Sequence, residues 1–93
     1  MTNTSKIGHD YERTYAALLR SRGFHVTRSA ASKGAFDLIA YNATDTLFCA
    51  LTRRRLSCKM ARRNVAILRE MLSHGTARYV HMTEDDPFCE HDA

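Results

Sequence analysis

Two segments of helical periodicity, each closed by a glycine, frame a series of short alternating segments. That order restricts the fold more than any other feature of the chain. Tyr11, Tyr15, Leu18 and Leu19 recur at helical spacing between Ile7 and Arg22, and Gly23 follows where a left-handed turn favours a residue without Cβ. Phe24–Ser29 alternates and reads as a strand, and Ala30–Gly34 as a small polar loop. Ala35–Tyr41 and Thr46–Thr52 form a hairpin around the turn residues Asn42, Ala43, Thr44 and Asp45. Arg53–Ser57 leads into a second helix over Cys58–Ser73, with Ala61, Val65, Leu68 and Leu72 on one face and Gly75 after it. Thr76–Met82 is a fourth strand.

The predicted order is α-β-β-β-α-β. The helix between strands three and four has the length of a right-handed crossover, which implies parallel pairing within a mixed sheet. The fold class is therefore α/β, a mixed sheet flanked by helices. Ninety-three residues suffice for one core. Residues 1–83 are expected to form it, and residues 84–93 to be an acidic, mobile tail.

No stretch approaches the ~20 apolar residues of a membrane span, and no signal pattern opens the chain. Cys49, Cys58 and Cys89 are odd in number and form no C-x-x-C pair, which fits a reducing, cytoplasmic setting and implies no disulfide framework. His81, Cys89 and His91 lie close enough in sequence for a metal site to be conceivable, but their spacing matches no standard zinc pattern.

Charge narrows the function. The net charge of +4 conceals a division, since Glu84, Asp85, Asp86, Glu90 and Asp92 crowd into residues 84–93 beside no Lys or Arg. Arg53, Arg54, Arg55, Lys59, Arg62, Arg63 and Arg69 all fall within residues 53–69. Such a concentration suits a polyanion, of which nucleic acid is the usual one, whereas a solvated helix face is the plainer alternative. Arg outnumbers Lys eleven to three, and guanidinium can grip phosphate with two parallel bonds.

Several short motifs share one register. Gly8-His9-Asp10-Tyr11-Glu12-Arg13 opens the first helix, Gly23-Phe24 precedes a strand holding Val26 and Arg28, and Ala30-Ala31-Ser32-Lys33-Gly34 precedes Phe36-Asp37-Leu38-Ile39-Ala40. Over residues 8–75 this resembles the archaeal-type Holliday junction resolvases of the PD-(D/E)XK nuclease superfamily. The resemblance implies a single-domain, restriction-endonuclease-like α/β fold, a homodimer, DNA as partner (branched DNA included) and Mg or Mn as cofactor. It assigns Glu12 and Asp37 to the catalytic, metal-holding site, with Phe36 where the family has proline. Arg28, Ser32, Lys33, Arg53, Arg54, Arg55, Lys59, Arg62 and Arg63 then become candidate DNA contacts.

The second half of the family's site is a Glu-x-Lys motif on the outgoing hairpin strand. Aligned on Leu47-Phe48-Cys49-Ala50-Leu51-Thr52-Arg53, the Glu position falls on Ala50 and the Lys position on Thr52. Losing one such electrostatic group costs ~10²–10³ in rate. A weak site of Asp37, Glu12 and the Leu51 backbone carbonyl is conceivable, and Glu70 on the second helix is a candidate relocated carboxylate. Asp37 has a plainer role open to it as well, accepting backbone hydrogen bonds at the start of a strand. Glu12 and Glu70 are open to a similar reading as surface residues paired with arginine.

Three functions follow as expectations. The first is a DNA-binding protein with a resolvase-like fold and lost or strongly reduced cleavage. The others are an active, divergent Mg-dependent endonuclease using Glu70, and a protein-interaction module that kept only the fold. The acidic tail could also cover the basic segment and block DNA.

Overall fold

The computed structural model describes residues 4–28 and 36–93. Its elements are α1 (Thr4–Ser21), β1 (His25–Arg28), β2 (Leu38–Tyr41), β3 (Thr46–Arg55), α2 (Cys58–Arg69), β4 (Thr76–Met82) and β5 (Cys89–Asp92). The expected α/β order is present, with a fifth strand added. All five strands form one mixed sheet in the order β1-β2-β3-β4-β5. β3 and β4 run parallel, and the other neighbours are antiparallel. No described helix is long and apolar enough to cross a membrane.

The two helices cover opposite faces, because strand side chains alternate. Tyr15, Ala16 and Leu19 of α1 bury themselves against Leu38, Ala40, Leu47, Cys49 and Val80. Ala61 and Val65 are the buried residues of α2, which packs over β4 and β5 on the side of Ala50 and Tyr79. Ser57 caps α2, its hydroxyl accepting the Met60 amide hydrogen at 3.2 Å, so the helix starts at Cys58.

The acidic segment is a correction to the sequence reading: it is not a mobile tail. Residues 89–92 pair with β4 (His81 with Cys89, Val80 with Glu90, Arg78 with Asp92), and Ala93 exchanges both backbone hydrogen bonds with Ala77 at 2.9 and 3.0 Å. Arg78 is the reason. Its guanidinium grips Asp92 two-pronged at 2.6 and 2.9 Å, and donates to Glu90 at 3.1 Å and to the Tyr15 hydroxyl at 3.2 Å. Tyr15 donates its own proton to Glu90, and Arg22 reaches the same carboxylate at 2.8 Å. Two of the five acidic side chains are thus neutralised inside the fold.

Both predicted helix-ending glycines have positive φ, Gly23 at +94° and Gly75 at +84°. They differ in surroundings. A Cβ on Gly23 would meet nothing within 4 Å, whereas one on Gly75 would lie 2.8 Å from Phe48 Cε2 and 3.1 Å from the Thr46 carbonyl. Gly23→Ala should therefore cost about 1 kcal/mol of backbone strain and Gly75→Ala about 2–3 kcal/mol, because a clash adds to the strain. Urea denaturation of both variants checks the ranking.

Burial also sets a pH dependence. It pushes the Cys49 thiol from 9.0 up to about 12, and the Tyr11 hydroxyl from 10.0 to about 12. Tyr15 moves upward for the same first reason, reinforced by its bond to Glu90. Each folded group keeps a proton that the unfolded chain has already released. The stability this represents is complete below about pH 9 and drains as pH rises toward 12. Unfolding free energy should fall by about 1–2 kcal/mol for Cys49 between pH 9 and 10.5, and less so in Cys49→Ala, as read by urea titration at the two pH values.

Candidate functional site

Asp37 sits one residue before β2, where that strand meets β3. Its amide donates to the Cys49 carbonyl at 2.8 Å, and its carboxylate oxygen Oδ2 accepts the Leu51 amide hydrogen at 2.8 Å. The hairpin register pairs Leu38 with Cys49, so its next step sets Asp37 across from Ala50. The carboxylate satisfies an N–H that would otherwise outrun the end of β2. This is the backbone-accepting role left open by the sequence.

Ala50, at the family's Glu position, is only 7% exposed. It borders a groove of about 240 Å³ shared with Asn64, Ile67, Leu68 and Tyr79. Thr52, at the Lys position, is half-buried, and its hydroxyl accepts the Arg54 amide hydrogen at 3.2 Å. No cationic side chain occupies either place.

The other expected ligands do not converge. Glu12 is half-buried on α1 and pairs with Arg28 at 3.2 Å. Glu70 is exposed at the C-terminal cap of α2, a helix that packs on β4 and β5. No group of three or more His, Cys, Asp or Glu side chains near enough to share a cation includes Asp37, Glu12 or Glu70 among the described residues. The Leu51 carbonyl would add only one neutral oxygen. Mg²⁺ demands near-octahedral oxygen ligation anchored on carboxylates. One carboxylate engaged with an amide and another engaged with Arg28 do not supply it, so these residues do not fit the divalent ion that the family resemblance implies.

The basic segment is exposed as a group. β3 does not stop at Thr52 as expected but continues through Arg55, with an irregularity between Leu51, paired with Val80, and Arg55, paired with Met82. Arg53, Arg54 and Arg55 are all exposed on this strand end, and Lys59, Arg62 and Arg63 are exposed on the first turns of α2. Among the described residues none of these six forms an ion pair, whereas Arg22, Arg28 and Arg78 do. Ser32 and Lys33 lie outside the described residues.

Arg53 also borders a groove of about 450 Å³ lined by Asp10, Tyr11, Thr14, Pro87 and Phe88. Tyr11 stacks on Phe88 with ring centres 5.0 Å apart and donates to the Pro87 carbonyl at 2.5 Å. Folding of the tail over the basic segment is overturned for Glu90 and Asp92, since Arg78 holds both and Arg22 also holds Glu90. Sequence reasoning missed this groove because its floor comes from the segment read as mobile.

The model of the archaeal Holliday junction resolvase family (Hjc) matches residues 3–80. The chain belongs to that family. Among solved structures, it is similar to Archaeoglobus fulgidus Hjc, a Holliday junction resolvase from an archaeal hyperthermophile. The similarity covers 91% of this chain and 70% of that one at 20% identity, with a TM-score of 0.60. No curated protein matches the chain. The resolvase family model spans Glu12, Asp37, Ala50 and Thr52, so the departures at Ala50 and Thr52 lie inside the matched region.

A structural Asp37 makes a simple prediction. Asp37→Ala should cost about 1–3 kcal/mol by stranding the Leu51 N–H, while Asp37→Asn, whose amide oxygen still accepts, should recover at least half of that. Equilibrium unfolding of the two variants measures it. Equal losses would count against the backbone-accepting role.

Proposed function

We propose that this resolvase-family protein binds DNA, branched junctions included, through the end of β3 and the start of α2, and that its cleavage activity is lost or strongly reduced. The observation that carries the reading is the pairing of Asp37 with a backbone amide opposite Ala50, next to six exposed cations that form no ion pair among the described residues. Phosphodiester cleavage of this kind relies on carboxylate-held cations to generate hydroxide and to neutralise charge at phosphorus. With neither the second carboxylate nor the lysine, the loss compounds the ~10²–10³ expected for each group.

Phosphate binding needs none of those groups. Arg53, Arg54, Arg55, Lys59, Arg62 and Arg63 can each displace a counterion, giving affinity without base readout. A homodimer belongs to the same proposal, because a symmetrical junction presents the same contour twice.

Fluorescence anisotropy with a labelled four-way junction and a duplex, across a salt series, tests binding. Affinity should fall steeply with salt, and Arg53→Gln/Arg54→Gln/Arg55→Gln should flatten the log–log slope by roughly 3. Salt-insensitive binding, or none, would favour a protein-interaction role. In parallel, both DNAs are incubated with Mg²⁺ or Mn²⁺ and should remain intact. Cleavage that disappears in Asp37→Ala would reverse the inactive reading and restore Mg or Mn as a working cofactor.

A further inference from the structure

The face of the sheet covered by α2 carries a second cluster, remote in sequence from Asp37 and Glu12. Cys58 is the first residue of α2, His81 lies near the end of β4, and Cys89 and His91 are on β5. β4–β5 pairing sets His81 opposite Cys89 and Tyr79 opposite His91, so strand alternation turns His81, Cys89 and His91 to one side. One ligand atom from each of the four side chains lies within 4.8 Å of all the others. His81 Nε2 and His91 Nε2 are 3.0 Å apart, and Cys89 Sγ is 3.6 Å from His91 Nε2. Tetrahedral zinc with Zn–S of about 2.3 Å and Zn–N of about 2.0–2.1 Å separates its ligand atoms by roughly 3.3–3.8 Å. The cluster is already near that size.

The orientation of His81 points the same way. It is fully buried, and its Nδ1 lies 3.1 Å from the Met82 carbonyl, a group that only accepts. Nδ1 therefore carries the proton, and the Nε2 lone pair is directed into the cluster. A histidine ligand backed by a carbonyl on its other nitrogen is the usual support for a metal-bound imidazole. Cys58 opens α2 and brings the fourth ligand atom to the cluster. Two thiolates and two neutral imidazoles cancel the charge of a divalent ion.

We propose that Cys58, His81, Cys89 and His91 form a tetrahedral, structural Zn²⁺ site that fastens α2 and β5 to β4. Four protein ligands leave no open position for catalysis. Two thiolates and two imidazoles select zinc over the hard cations that oxygen ligands take. The site holds the C-terminal strand on the face opposite the Arg78 clamp.

The full chain, tag removed and kept in a phosphine reductant, is analysed for metal by elemental mass spectrometry. It is then stripped and titrated with Zn²⁺ or Co²⁺. One metal per chain is expected, with intense visible cobalt bands and thiolate-to-cobalt charge transfer. Zn²⁺ should raise the melting midpoint by roughly 10 °C or more over the stripped protein. Cys58→Ser and His91→Ala alter residues at the rim of the cluster. Both variants should fold, lose most of the bound metal and lose the zinc-dependent part of the midpoint. Equal midpoints with and without Zn²⁺, octahedral cobalt spectra, full metal retention in both variants, or a Cys58–Cys89 disulfide persisting under reductant would each overturn the proposal.

Discussion

A half-buried guanidinium organises this domain. Arg78 projects from β4 toward α1, where its desolvation is tolerable only if carboxylates come to it. The pair that comes is Glu90 and Asp92, and Asp92 raises the affinity of Arg78 for its proton further. Because a strand places alternate residues on alternate faces, holding Glu90 and Asp92 toward α1 turns Cys89 and His91 toward α2. One ion-pair network thus fixes the fifth strand, buries the Tyr15 hydroxyl and assembles the cysteine–histidine cluster. Removal of one partner from such a cluster typically costs several kcal/mol, since the opposite charge stays behind in a poorly solvated place.

At the junction of β2 and β3, the acids that the family resemblance assigns to a metal site are engaged within the chain. Asp37 persists with a structural duty to Leu51, and Glu12 is tied to Arg28. The six exposed cations of the proposed DNA surface form no ion pair with those groups among the described residues. They lie on a strand end and a helix start whose positions follow from parallel β3–β4 pairing and the Ser57 cap. On the proposed function, binding and cleavage rest on different parts of the fold, so the second can be lost without the first.

How much of this was legible in the residues follows from the range of each signal. The two helices and the first four strands were readable because apolar periodicity is local, as were Gly23 and Gly75, whose positive φ the turns demand. The fifth strand was not. Cys-Glu-His-Asp contains no aliphatic residue, and its acidic character was read as solvation because its partners, Arg78, Tyr15 and Arg22, are distant in sequence. Arg53, Arg54 and Arg55 were assigned to a connection since charged residues weaken a strand signal, yet parallel pairing carries β3 through them. Three members of the metal cluster stood out by proximity. Cys58 did not, because only the return of β4 beneath α2 brings it to the others.

The same physics accounts for Ala50. A carboxylate there would leave the buried Ala50 position and enter a largely apolar groove lined by Asn64, Ile67, Leu68 and Tyr79. An active nuclease offsets that burial with a cation held jointly by two acids. Without such a cation, the burial of charge would go uncompensated, and a small apolar residue is the stable solution. Asp37 differs in that its side-chain oxygen accepts the Leu51 amide hydrogen. Asp37 and Ala50 thus follow from a single criterion, whether the backbone alone can satisfy a carboxylate.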